Sequence, residues 1–244
     1  GNIQNGYGGS VSIEDTYLYP LYKSSDIGNG DERSHRKYML ITQQYIGENT
    51  NHIRQDAPKT WRYLERHERD FSKRKSSIYQ DRPRFSIFGL GEYTFAPWKV
   101  AISGFYKNLR FKCIGPTQKR PAVFDDTVYL LPCWSKDEAD FLVNVLSSRP
   151  AQEFLGSMVF WSDKRPITAE LLRRLDFKAL SSELGRVNEY LAHTTQRSIA
   201  RAATTSRQMS LVIAEEPARY RKSVQNKELN SRHHRAGKRL VRAR

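Results

Sequence analysis

The sequence predicts an α+β fold, a mixed β-sheet with peripheral helices followed by a basic, largely disordered C-terminal tail. Three observations carry this. β-type runs crowd the stretch from Phe85 to Leu131, amphipathic helical repeats flank it on both sides, and large apolar residues thin out beyond Gly185.

In chain order, residues 1–16 are rich in Gly, Asn and Ser and read as a flexible leader or linker. Tyr17 to Lys23 is a short extended run, ended by the turn-forming stretch Ser24 to Gly30, and Lys37 to Gln43 is a strand candidate. A helix is expected from Asp56-Ala57-Pro58. Asp56 would cap the free amides, and Pro suits a first turn because its missing N–H would be unpaired there anyway. Trp61, Leu64, His67 or Glu68, and Phe71 then line one apolar face. Strands are expected at 85–88, 98–103, 110–114, 122–124 and 127–131, with Gly, Pro or Asp-Asp in the turns. Ser135 and Glu138 have capping-box spacing and open a helix through Ala139, Leu142, Val145 and Leu146. Further helices are expected over 152–160 and 168–180. The organisation is therefore a leader (1–16), a folded domain (17–185) and a tail (186–244) that is disordered apart from helix near Glu189–Thr195.

A net charge of +15 on 244 residues implies a polyanionic partner, and phosphate backbones fit it best. No apolar run approaches the ~20 residues that span a bilayer, so no membrane partner is expected. The chain opens on Gly1-Asn2-Ile3 without Met or signal peptide, which points to a piece of a longer protein. Cys113 and Cys133 form no CxxC pair; they read as small buried thiols in a reduced, cytoplasmic protein.

The Gly89-Leu90-Gly91 break resembles a nucleotide loop only superficially. Glu92-Tyr93-Thr94-Phe95-Ala96-Pro97 is a poor helix start, so a tight strand connection is expected. Asp125-Asp126 fits a turn, since neighbouring residues on a strand point to opposite faces. The histidines have no paired spacing, and no catalytic, metal or cofactor site is expected. Basic residues interleaved with aromatics carry more. Lys73, Arg74, Lys75, Arg82, Arg84, Lys99 and Lys107 are the candidate phosphate contacts. Tyr93 and Trp98 are candidates for stacking or groove contact. Two alternatives stay open: a restriction-type nuclease fragment with scattered acids, and a generic basic nucleic-acid-binding protein.

Residues from about Leu18 to Phe177 resemble the TaqI-like C-terminal specificity domain of adenine-specific DNA methyltransferases of restriction-modification systems. Tyr19-Pro-Leu-Tyr-Lys-Ser-Ser-Asp-Ile27 is similar to that family's entry segment, and Ala57-Pro-Lys-Thr-Trp-Arg-Tyr-Leu64, with His67 and the basic stretch after Phe71, to its long helix. Phe95 to Ile102 and Asp125 to Tyr129 look like its strands, and Phe141 to Ser148 like a later helix. The resemblance implies target recognition on double-stranded DNA. It also implies a catalytic domain, in cis or in trans, that binds S-adenosylmethionine and methylates a flipped-out adenine. The family's Asn/Asp-Pro-Pro-aromatic loop is missing, for the chain contains no Pro-Pro. The chain alone is therefore expected to hold no cofactor and to methylate nothing.

Overall fold

The computed structural model describes residues 3–29 and 37–204, with side chains through 198. Ile3–Gln4 (β1) and Ser10–Val11 (β2) pair as an antiparallel hairpin, its turn closed by the Asn5 side chain, which accepts from the Tyr7 and Gly9 amides. The segment expected to be a flexible leader thus carries structure from residue 3. Leu18–Tyr22 (β3), a one-turn helix at Ser24–Gly28 (α1) and Tyr38–Leu40 (β4) follow.

Ile53–Asp56 (α2), Pro58–Arg66 (α3) and Glu68–Ser72 (α4) occupy the stretch expected to be one helix, with Thr60, Trp61 and Leu64 buried. Pro58 takes the first turn as expected, but Asp56 is not the cap. It lies at the end of α2, where it accepts from the Tyr17 hydroxyl at 3.3 Å. The cap comes from Glu14, whose carboxylate accepts from the Lys59 amide at 3.0 Å, the Thr60 amide at 2.8 Å and the Thr60 hydroxyl at 2.9 Å. These are the amides a local N-cap would satisfy. Burial alone would push the Glu14 carboxyl up, but these donors outweigh it and hold it down at about 2.

After a long loop come Glu92–Phe95 (α5), Trp98–Ser103 (β5), Lys112–Ile114 (β6), Val123–Phe124 (β7) and Val128–Cys133 (β8). Lys136–Leu146 (α6), Arg149–Met158 (α7), Ala169–Arg173 (α8), Phe177–Glu183 (α9) and Val187–Thr204 (α10) complete the described chain. β3 sits between β4, antiparallel, and β7, parallel, which makes that sheet mixed; β5 sits between β6 and β8, both antiparallel. The fold is α+β.

β5 is buried on both faces. Val100 and Ile102 pack with Phe141, Leu142, Leu146 and Leu155, while Ala101 packs with Tyr22, Ile27 and Val128 on the other side. Ser135 caps α6 as expected, accepting from the Glu138 amide at 3.1 Å, but the reciprocal half of the box does not form, because Glu138 accepts from the amide of Trp134, one residue before the cap, at 2.8 Å. Three further expectations fail. Phe85–Phe88 is not a strand, because Phe85 adopts a left-handed φ of 61°. The 168–180 stretch is two helices, because Asp176 starts the second by accepting from the Ala179 amide. The helix of the supposed tail runs from Val187 to Thr204, well past Glu189–Thr195. Its inward face is Tyr190, His193 and Arg197, with His193 against Phe141 and Arg197 paired to buried Glu138. Residues 205–244 of the expected tail lie outside the described residues.

Glu14→Ala should lower the unfolding free energy by about 1–2 kcal/mol near neutral pH, the cost of a lost helix cap. The carboxyl is depressed in the folded state, so its contribution is complete above its ordinary value of 4.5 and fades as pH falls toward 2. Urea titrations of both proteins should converge across that window. A gap that stays constant with pH would exclude the carboxylate as the cap.

Candidate nucleic-acid interface

The loop between α4 and α5 is long but not loose. The buried Phe85 ring meets Trp61 and Phe71 edge-on, with centroids 5.2 Å from each. Arg84 lies over Trp61 and Phe85 and forks onto Glu68 at 2.7 and 2.8 Å, with Glu65 at 3.4 Å. Hydrogen bonds from Arg84 hold the Glu68 carboxyl below the usual range. Arg74 stacks on Tyr79 and Phe71 and donates to the Ser86 carbonyl at 2.5 Å and the Phe71 carbonyl at 3.2 Å. These two arginines bind the loop to the helices that precede it.

A second clamp comes from the segment between β4 and α2. Buried Thr42 donates to the Phe85 carbonyl at 2.8 Å, and buried Thr50 donates to the Arg84 carbonyl at 2.6 Å. Gln43, also buried, joins two loops with one amide. Its Nε2 donates to the Glu48 carbonyl at 2.6 Å and its Oε1 accepts from the Ile87 amide at 3.1 Å. The exposed large apolar side chains of this paired-loop platform are Tyr45, Ile46 and Phe88, with Arg82, also exposed, reaching the Gly47 turn. Arg82 makes no hydrogen bond or ion pair among the described residues. Rigid backbone carrying exposed aromatic and apolar tips with an uncommitted guanidinium is the chemistry that reads base edges and thymine methyls. Tyr45 and Ile46 were not singled out from the sequence; they fall in a short turn whose exposure only the packing of both loops reveals.

The residues singled out in the sequence divide into groups. Lys73, Lys75, Arg82 and Lys107 are exposed, with Lys73 also reaching Asp70 at 3.0 Å. Lys107 lies on the loop after β5, apart from the paired loops in sequence and in contacts. Arg74 and Arg84 are clamps whose donors are already committed. Tyr93 folds back on its own loop, donating to the Gly89 carbonyl at 2.5 Å. A Cβ on Gly91 would lie 2.7 Å from its ring, so the side chain fills the space of the supposed nucleotide turn. The turn leads into the one-turn α5, not a strand. Trp98 packs over Gly115, where a Cβ would lie 2.5 Å from the indole, and against the core below β5.

Lys99 requires a correction. It is 1% exposed, and its amine donates to the Ala96 carbonyl at 2.6 Å, so it cannot meet a phosphate in this fold. Burial pushes it down to about 7. Because β5 is covered on both faces, alternation does not bring this lysine to solvent. Asp125 forms the expected turn, accepting from the Thr127 amide at 3.1 Å. Among the described residues no three His, Cys, Asp or Glu side chains gather as a metal site, and no helix is long and apolar enough to cross a membrane.

No protein-family model matches the chain. Over 177 residues it is 49% identical to the Type II methyltransferase M.NspV of Nostoc sp., a match covering 72% of this chain and 37% of the relative. The likeness is to part of a methyltransferase. The matched stretch spans little more than a third of the relative's length.

Lys99→Met should stabilise the fold most at and below pH 7. The unfolded lysine keeps its proton to about 10.5 while the folded one loses it near 7, so wild-type stability climbs with pH across that interval. The advantage of the variant should therefore shrink between pH 7 and 10, with DNA affinity unchanged. Lost DNA affinity in a folded variant would return Lys99 to the interface.

Proposed function

We propose that this chain is the DNA target-recognition part of an S-adenosylmethionine-dependent, adenine-specific DNA methyltransferase whose catalytic segment lies elsewhere, in cis or in trans. The observation that carries this reading is the 49% identity to a Type II methyltransferase, confined to 37% of that relative. The clamped, basic and aromatic loop platform supports it.

In this reading the catalytic segment supplies the methyl group. The residues here do not fit that cofactor, because the Gly89–Gly91 turn is filled by Tyr93 and no Asn/Asp-Pro-Pro-aromatic loop is present. What this chain supplies is register and choice. Lys73, Lys75 and Lys107 meet phosphates, which fixes position without reading sequence. Arg82 reads a base edge, and Tyr45, Ile46 and Phe88 make apolar or stacking contacts beside it. The duplex is thereby held while the catalytic segment extrudes the target adenine, a base unreachable inside the stack. A clamped platform suits this work, since loops already ordered lose little entropy on binding.

Selection from randomised duplexes with the 244-residue chain at moderate salt should enrich a motif containing adenine. Arg82→Ala should then relax preference at one position, at a cost of about 1–3 kcal/mol on the preferred duplex. Lys75→Ala should weaken all duplexes alike. Binding without enrichment would defeat the recognition role and leave a nonspecific electrostatic grip.

A further inference from the structure

The three acids of α3 and α4 are all engaged by cations on their flanks. Glu65 and Glu68 pair with Arg84, and Asp70 pairs with Lys73 and His67. Arg62, Arg66 and Arg69 are exposed, and their side chains have no hydrogen bond, ion pair or ring contact among the described residues. Within α3, at ~100° per residue, Arg62 and Arg66 lie one turn apart and about 40° apart around the axis, opposite the buried Thr60 and Leu64. α4 follows a break at His67, which leaves the helical range at φ −99° and ψ 10° and whose carbonyl takes the Asp70 amide; Arg69 is exposed on the first turn of α4. Arg62 and Arg66, with Glu65, line an open surface groove.

We propose that Arg62, Arg66 and Arg69 form a track for the sugar-phosphate backbone of duplex DNA, distinct from the loop platform and without sequence preference. Arg62 and Arg66, one turn apart on α3 and unpaired among the described residues, repel one another, and that repulsion is relieved when a polyanion lies across them. From Arg62 to Arg66 the rise along α3 is about 6 Å, close to the axial rise of two phosphates on one strand. Guanidinium forks match phosphate oxygens in pairs, which an array of lysines would not do. An acidic protein would also be attracted. The DNA backbone is favoured because the charges follow one another along α3 and the first turn of α4 with no apolar anchor among them, whereas protein interfaces centre on buried apolar or aromatic contacts.

The proposal rests on the chain being a DNA-binding unit, and its test separates the two ideas. Binding of the 244-residue chain to an enriched duplex and to a mixed-sequence duplex would be titrated between ~50 and 200 mM salt. The combined variant R62A/R66A/R69A should lose affinity for both duplexes equally, with a log–log salt slope smaller by up to about 2.7. That corresponds to roughly 40-fold less affinity lost across the salt range. R62K/R66K/R69K should keep most of the slope, and far-UV dichroism of both variants should match wild type. If wild type binds and the alanine variant keeps its affinity and slope, the track is wrong while the recognition reading stands; a surface for an acidic protein would give that result. A loss confined to the enriched duplex would also overturn it, placing these arginines among the base readers. If wild type binds neither duplex, both ideas fail.

Discussion

Phe85 combines a left-handed backbone conformation with a ring sunk between Trp61 and Phe71, and the geometry of both exposed loops follows from that wedge. A non-glycine residue in this region costs on the order of 1–3 kcal/mol. Removing a buried phenylalanine ring costs about 3–5 kcal/mol, so burial wins. The reversal of direction at Phe85 turns the Arg84 carbonyl toward Thr50 and the Phe85 carbonyl toward Thr42. Without the ring in place, those bonds and the Gln43 bridge would lose their register together.

The buried Thr42, Gln43 and Thr50 have a second consequence. Each spends its polar group on a main-chain partner in or beside the loops, leaving little that could pair in another arrangement. Buried polar groups left unpaired cost about 1–3 kcal/mol apiece, so alternative loop positions are penalised more heavily than apolar packing alone would penalise them. The platform is specified by hydrogen bonds and driven by apolar burial.

How much of this was legible in the sequence depended on range. The Trp61–Leu64 face and the Ser135 cap on the Glu138 amide depend on residues three apart, and both formed where the spacing placed them. The Glu14 cap acts across 45 and 46 positions and leaves no local trace, so neighbouring Asp56 drew the assignment instead. Lys99 was misread because a charge on an apolar strand normally marks the solvent face, and β5 has none. The C-terminal helix was expected only near Glu189–Thr195, short of its full length, because its inward residues are Tyr190, His193 and Arg197, which do not register as an apolar stripe. The basic cluster at 73–84 was found as a cluster, but no local pattern separates an arginine that clamps from one that is free.

That separation bears most directly on function. Arg74, Arg84 and Arg197 each hold two parts of the chain together, through Ser86, through Glu65 and Glu68, and through Glu138. Charge used in this way is largely neutralised or capped by carbonyls and attracts little from outside. Arg62, Arg66, Arg69 and Arg82 have no such partners among the described residues. The acids of the same helices are paired instead with Arg84, Lys73 and His67. Arg84 thereby does two jobs. It fixes the loop that carries Arg82, and it pairs with Glu65 and Glu68, the acids beside Arg62, Arg66 and Arg69, so a single side chain leaves both sets of arginines open to a polyanion.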